Sequence, residues 1–97
     1  MKLTDLVRQH GFEPSDLGQI KDAKLYERDS GNSVSELLCV QKIGNIMRVS
    51  RIAIQVLPGL ILPLGNPVDK LIDKNELESY LNLTLAPAGD TMKEVLF

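Results

Sequence analysis

The chain has 97 residues, of which 43% are hydrophobic and 25% are charged, and its formal net charge is -2. This length fits a single domain spanning residues 1–97, and the composition excludes a disordered or fibrous chain. A charge this close to zero also argues against the strongly basic domains that usually bind nucleic acid.

Apolar residues at helical spacing predict a short helix over residues 5–10, which Gly11 ends by supplying a left-handed backbone conformation. Residues 13–16 read Glu-Pro-Ser-Asp, a second helix start in which Pro14 presets the first turn and Ser15 or Asp16 caps it. The N-terminal part of the chain is therefore predicted to be a short helical hairpin.

Alternating apolar and polar residues after residue 23 indicate β-strands, separated by turn sequences rich in Gly, Asn, Asp and Pro. A single helix over residues 35–48 is the alternative for part of this region, because several apolar residues there are also spaced as in a helix. Gly44 favours strands, since glycine costs about 1 kcal/mol in a helix interior. The pattern predicts an antiparallel sheet of three to four strands, at residues 24–28, 34–41, 46–57 and 60–64.

Residues 52–64 are the most apolar part of the chain and carry no charge. The first half, 52–57, is predicted to be the central strand of the sheet and part of the core. The second half, 58–64, contains Pro63, and proline cannot donate a hydrogen bond to a central ladder. We therefore expect residues 58–64 to form a turn and an edge strand, with apolar side chains left for a partner.

The C-terminal third of the chain is predicted to be helical, beginning at residues 66–69, where an Asx cap precedes a proline. Two apolar faces follow that are out of phase with each other, so one straight helix cannot bury both. A break is therefore predicted near Asp73, which would cap the second helix. Residues 91–97 carry a further capping pattern and an apolar end. The two out-of-phase faces consist of Val68, Leu71 and Ile72 and of Leu77, Tyr80 and Leu81.

The sequence contains no recognisable catalytic motif around its single histidine, His10, or its single cysteine, Cys39. We interpret His10 as a structural residue near a helix end and Cys39 as a small hydrophobic residue in a strand. Acidic residues between 69 and 78 lack the spacing of a calcium loop, and no glycine-rich phosphate loop is present. We therefore predict no enzyme, no catalytic residue, no cofactor and no metal; an enzyme relying on His10 is a less favoured alternative.

Two features of the sequence could contact nucleic acid. The N-terminal helical hairpin has the outline of a helix-turn-helix, but acidic residues at the start of its second helix would face phosphates. Lys42, Arg48 and Arg51 make the middle of the chain mildly basic, although Arg48 and Arg51 have opposite parity and point to opposite faces of a strand. A nucleic-acid-associated regulator using Lys42, Arg48 and Arg51 is kept as the alternative function.

The location of the protein is predicted from what the sequence lacks. The first residues have no apolar region of the kind found in a secretory signal. Residues 52–68 are too short, and too rich in proline, to cross a bilayer as a helix. We expect a cytoplasmic protein that makes no membrane contact.

The predicted fold is α+β, with a short N-terminal helical hairpin, a small antiparallel sheet and C-terminal helices packed on one face. In a chain of this length, the apolar surplus of residues 56–64 favours self-association, since a two-fold contact covers the same patch on both copies. The leading hypothesis is a non-enzymatic, homodimeric interaction module that also binds a protein partner. The expected partner-binding residues are Val56, Leu57, Leu60, Ile61, Leu62, Leu64 and, in the C-terminal tail, Phe97.

Overall fold

The computed structural model describes residues 2–85, which form a five-stranded antiparallel sheet with two short helices. The α+β class predicted from the sequence is confirmed, with more strands than the three to four expected. The elements are α1 (Leu3–Arg8), β1 (Glu13–Pro14), β2 (Ala23–Gly31), β3 (Val34–Ile43), β4 (Ile46–Leu57), β5 (Leu60–Asp73), a 3-10 turn (Lys74–Glu76) and α2 (Leu77–Thr84).

The strands follow one another in the sheet in chain order, from β1 to β5, and each pairs antiparallel with the next. From β2 to β5, successive strands are joined by two-residue turns, as in a meander, whereas residues 15–22 connect β1 to β2. At the β4–β5 turn, Gly59 has φ +74°, a conformation that side chains disfavour, so the sequence Pro58-Gly59 reverses the chain there. Residues 35–48 are strand and turn, which excludes the helical alternative for this segment.

The hydrophobic core lies on one face of the sheet, which we call the covered face. From the sheet it takes Tyr26, Leu38, Val40, Val49 and Ile72, and all five point to the same side because paired residues and alternate residues share a face. The core is completed from outside the sheet by Leu6, Val7, Phe12, Leu81 and Leu85. The opposite face, which we call the open face, carries no helix from residues 2–85.

The N-terminal helix is confirmed, but the second helix of the predicted hairpin is wrong. Pro14 instead pairs with Tyr26 in the sheet, and the backbone N–H of Ser15 donates to the carbonyl of Leu25 at 2.9 Å. The Ser15 side chain accepts a hydrogen bond from the N–H of Leu17 at 3.2 Å, so it caps a turn and not a helix. Pairing with β2 gives the backbone of this segment hydrogen-bond partners, whereas a helix of one turn is unstable because its nucleation is unfavourable.

The helix predicted to begin at Asn66 is also wrong, because β5 continues through that sequence to Asp73. Asn66 and Pro67 lie in an irregular part of β5 that follows Gly65, whose φ is +89°. Asn66 and Pro67, which favour turns, therefore form an irregularity within the strand, as at a β-bulge. From Val68 onward the segment pairs with β4, and these ladder hydrogen bonds prevail over a local helix signal.

The cap predicted at Asp73, before the helix that holds Leu77, Tyr80 and Leu81, is confirmed, but Asp73 ends a strand and not a first helix. The Asp73 side chain accepts a hydrogen bond from the backbone N–H of Asn75 at 3.0 Å and so caps the 3-10 turn that leads into α2. Leu81 of α2 is fully buried, and Leu77 and Tyr80 pack against the core, as their common helical face predicted. The C-terminal segment 91–97 lies outside the described residues.

A pair of leucine truncations in α2 tests this packing. Leu81→Ala removes a side chain with no exposed surface and should lower the free energy of unfolding by about 2–5 kcal/mol. Leu83→Ala is the matched control, because Leu83 is 84% exposed and its loss should cost about 0.5 kcal/mol or less. Urea denaturation of the two variants measures both values, and similar losses would contradict the docking of α2.

Candidate interaction surface

A change of register divides the long β4–β5 hairpin into two parts. Arg51 pairs with Val68 and Ala53 pairs with Leu64, so the three residues 65–67 of β5 lie opposite the single residue Ile52. The part beyond this insertion, residues 53–64, is called the distal hairpin below. It contains the segment in which the sequence predicted partner-binding residues.

Both faces of the distal hairpin carry apolar side chains. Leu60, Leu62 and Leu64 pair with Leu57, Gln55 and Ala53 and therefore continue the covered face. Val56 and Ile61 pair with each other and lie on the open face. Gln55 is the polar residue in the covered-face row, so the side chains presented by the hairpin are almost all hydrocarbon.

Four hydrophobic side chains of the distal hairpin are exposed to between 39% and 50%, namely Leu60, Ile61, Leu62 and Leu64. Val56 and Leu57, which the sequence grouped with them, are half-buried. Single exposed leucines elsewhere, such as Leu71 and Leu83, are ordinary, whereas neighbouring exposed apolar residues indicate an interaction surface. Phe97, the last residue of the predicted set, lies outside the described residues.

A cavity of about 320 Å³ lies between the distal hairpin and the end of α2. It is open to solvent and mixes the apolar side chains of Leu64 and Val68 with the charged pair Glu36 and Arg51. Val68 is 64% exposed, and it pairs with Arg51, so it belongs to the covered face. The row of exposed leucines therefore ends in a concave site. The other lining residues are Ile52, Ala53, Asn66 and Thr84.

Beside this cavity, the Glu36 carboxylate forms ion pairs with two arginines, Arg28 and Arg51. Its Oε2 accepts hydrogen bonds from Arg28 Nη2 at 2.8 Å and from Arg51 Nη2 at 3.0 Å. Arg28 also donates to the carbonyl of His10 at 2.8 Å and lies over the Phe12 ring, 4.6 Å from its centroid. Arg51 Nη1 donates to the Thr84 carbonyl, at the end of α2, at 3.0 Å. The network thus joins the N-terminal segment, the sheet and α2.

Removing the shared carboxylate tests how much this network stabilises the fold. Glu36→Gln should lower the free energy of unfolding by about 1–3 kcal/mol, because two partly buried guanidinium groups lose a charged acceptor. Glu13→Gln is the matched control, since the Arg8–Glu13 pair is exposed and should contribute about 0–1 kcal/mol. Thermal and urea unfolding give both values; equal effects would show that the Glu36 network is not structural.

The basic residues named for the nucleic-acid alternative are separated in the structure. Arg48 lies on the open face, where it donates to Asp69 Oδ2 at 3.0 Å, and Arg51 lies on the covered face in the Glu36 network. Lys42 is exposed on the covered face, at the far end of the sheet from the distal hairpin. The three side chains form no common basic patch, as the parity of Arg48 and Arg51 predicted.

On the open face, Asp69 is the centre of a small polar cluster. The Ser50 hydroxyl donates to Asp69 Oδ1 and Arg48 donates to Oδ2. The hydrogen bond from Ser50, followed by that from Arg48, holds the pKa of the Asp69 carboxyl below its ordinary value of 3.8. Burial raises the pKa of the neighbouring Cys39 thiol, which makes it a poor nucleophile.

The lowered pKa of Asp69 gives stability a defined pH dependence. The contribution of Asp69 is present above pH 3.8 and is lost as the pH falls below that value, because protonation then breaks its bonds to Ser50 and Arg48. Asp69→Asn should therefore flatten the decline of unfolding free energy as the pH falls below 3.8. In an NMR titration, Ser50→Ala should move the Asp69 pKa up toward 3.8, and an unchanged value would contradict the cluster.

The structure does not bring the candidate catalytic residues together. The Nε2 atom of His10 lies 3.0 Å from Asn82 Oδ1 of α2, so His10 lies on the covered side, whereas Cys39 is on the open face. His10 Nδ1 is buried and has no hydrogen-bond partner within residues 2–85. Over the same residues, no three His, Cys, Asp or Glu side chains gather into a metal-ligating group.

Neither described helix is long and apolar enough to cross a membrane.

Comparison with known proteins identifies no relative of the chain. No protein-family model matches it, and no curated protein or solved structure does so. Its function is therefore argued from the surface described above.

Proposed function

We propose that this protein is a non-enzymatic interaction module that forms a homodimer through the distal hairpin. The proposal rests on one observation, the row of exposed apolar side chains on the distal hairpin, which begins two residues after Arg51, where the end of α2 is bound. In the distal hairpin, β4 also pairs with β3 as far as Gln55, so β5 is the strand without a second neighbour among the described residues. Apolar area removed from water contributes roughly 25 cal/mol per Å². A partner that covers the hairpin would therefore stabilise it and gain affinity.

The absence of charge in the distal hairpin supports a second copy as that partner. Residues 52–68 contain no Asp, Glu, Lys or Arg, so two copies related by a two-fold axis would not place like charges together. Such a surface also offers no charge pattern by which to recognise a differently charged protein. The proposal includes binding of a further protein partner through the same region. It also includes a cytoplasmic location.

Nucleic-acid binding through Lys42, Arg48 and Arg51 is the alternative proposal. It has less support, because Arg48 and Arg51 each already pair with a carboxylate and lie on opposite faces of the sheet. Binding of this kind would weaken steeply with salt and with Ala at Arg48 and Arg51. A low-salt gel-shift assay with mixed DNA and RNA distinguishes it from self-association.

The homodimer is tested by placing charge on the hairpin. In sedimentation equilibrium, the wild-type mass should rise with concentration toward twice the monomer mass. The double variant Ile61→Lys and Leu62→Lys should raise the dimer dissociation constant at least about tenfold, because the two positions lie on opposite faces and an interface on either face would have to desolvate an ammonium group.

The control for this experiment is Leu71→Lys, which adds charge at an exposed leucine of the same strand outside the hairpin. It should leave the dissociation constant within about twofold of the wild-type value. A wild-type protein that stays monomeric at every concentration, or equal weakening by Leu71→Lys, would refute the proposal.

A further inference from the structure

The exposed apolar residues of the distal hairpin are distributed unequally between its two faces. Leu60, Leu62 and Leu64 lie on the covered face, and Val68 continues their row on the far side of the insertion. On the open face of the hairpin, Ile61 is the strongly exposed large hydrophobic residue, whereas Ile54 is 4% exposed. Within the distal hairpin and its continuation at Val68, the exposed apolar surface is therefore mainly on the side of α2.

The two faces also differ in charge. On the open face, Glu27 and Asp29 of β2 lie in the same cross-strand rows as Ile52 and Ile54, so acidic groups flank the base of the hairpin there. A two-fold contact on that face would bring equal charges of the two copies toward one another, which is unfavourable.

On the covered face, the charged side chains near the leucine row are Lys70 and the Glu36 network, in which Glu36 pairs with Arg51 at 3.0 Å and with Arg28 at 2.8 Å. Glu36 and the two arginines satisfy one another and are mostly buried, and the exposed Lys70 lies beyond Val68, at the end of the row away from Leu60. The covered face also offers a concave site beside a row of protruding leucines, and this combination fits its own copy across a two-fold axis.

On the basis of the proposed homodimer, we infer that the second copy covers the α2 side of the distal hairpin. The leucine row Leu60, Leu62 and Leu64 of one copy contacts the leucine row and the cavity edge at Val68 of the other. The open face, with Ile61, stays outside this interface.

Ile61 and Leu62 provide a matched pair of positions for the test. They are adjacent, similarly exposed and similarly apolar, yet they point to opposite faces of the same strand. Leu62→Lys should raise the dimer dissociation constant at least about tenfold, whereas Ile61→Lys should change it by less than about twofold. Sedimentation equilibrium of the full chain measures both constants, and circular dichroism verifies that each variant is folded.

Leu62→Thr supports the test if the lysine variant does not fold, because threonine keeps a high strand propensity while removing most of the apolar side chain. As an independent readout, the backbone amide NMR signals of Leu64 and Val68 should shift with wild-type concentration, and those of Leu25 and Leu37 on the open face should not.

The possible outcomes separate this inference from the proposal on which it rests. A dimer that is weakened by Ile61→Lys alone, or equally by both variants, overturns the assignment to the α2 side but keeps the hairpin as the interface. A dimer that neither variant weakens overturns both. A monomer at every concentration, in which Leu62→Lys shifts the amide signals of residues 86–97, overturns the second copy in favour of the chain's own end as the cover.

Discussion

The fold is governed by a mismatch of length between its helices and its sheet. At 1.5 Å per residue, the six residues of α1 and the eight of α2 extend roughly 9 Å and 12 Å, whereas the twelve residues of β4 extend roughly 40 Å. Helices this short can shield only part of one sheet face. Their cover accounts for the buried cluster around Tyr26, Leu38 and Val49. Because the helices do not reach the distal hairpin, its apolar side chains stay exposed.

The Glu36 network marks the limit of the shielded region. Arg51 reaches the last turn of α2 through the Thr84 carbonyl, and Arg28 reaches the end of the N-terminal segment through the His10 carbonyl. A carboxylate between two guanidinium groups satisfies these charges where the core meets solvent. The network fixes both helical ends to the sheet at the point where hydrophobic cover stops. It also supplies the polar wall of the cavity beside Leu64 and Val68.

Patterns of neighbouring residues predicted the elements that form through interactions close in sequence. Alternation and the Gly44 turn were enough to predict β3 and β4, and the cap at Asp73 was enough to predict the break before α2. The signals failed where pairing across the sheet prevailed, at β1 and along β5. Asn66-Pro67 reads locally as a helix start, and no local feature reveals that β4 is long enough to pair with the residues after it.

The candidate surface was predictable only in part for the same reason. The apolar surplus of residues 58–64 is visible in the sequence, but the face on which each side chain lies depends on register. The role of Glu36 could not be read from the sequence, because its partners Arg28 and Arg51 are 8 and 15 residues away and meet it only across strands.

The prolines of β5 have a consequence for how this protein can associate. As the outermost strand of the sheet, β5 has one side with no neighbouring strand among the described residues, and such an edge can recruit strands from other chains. Pro63 and Pro67 remove two backbone N–H donors from this strand, and residues 65–67 distort it between them. A continuous ladder of hydrogen bonds cannot grow along that edge. The strand with the most exposed apolar residues is thus protected from fibre-like, edge-to-edge polymerisation, while its faces stay available for a closed assembly.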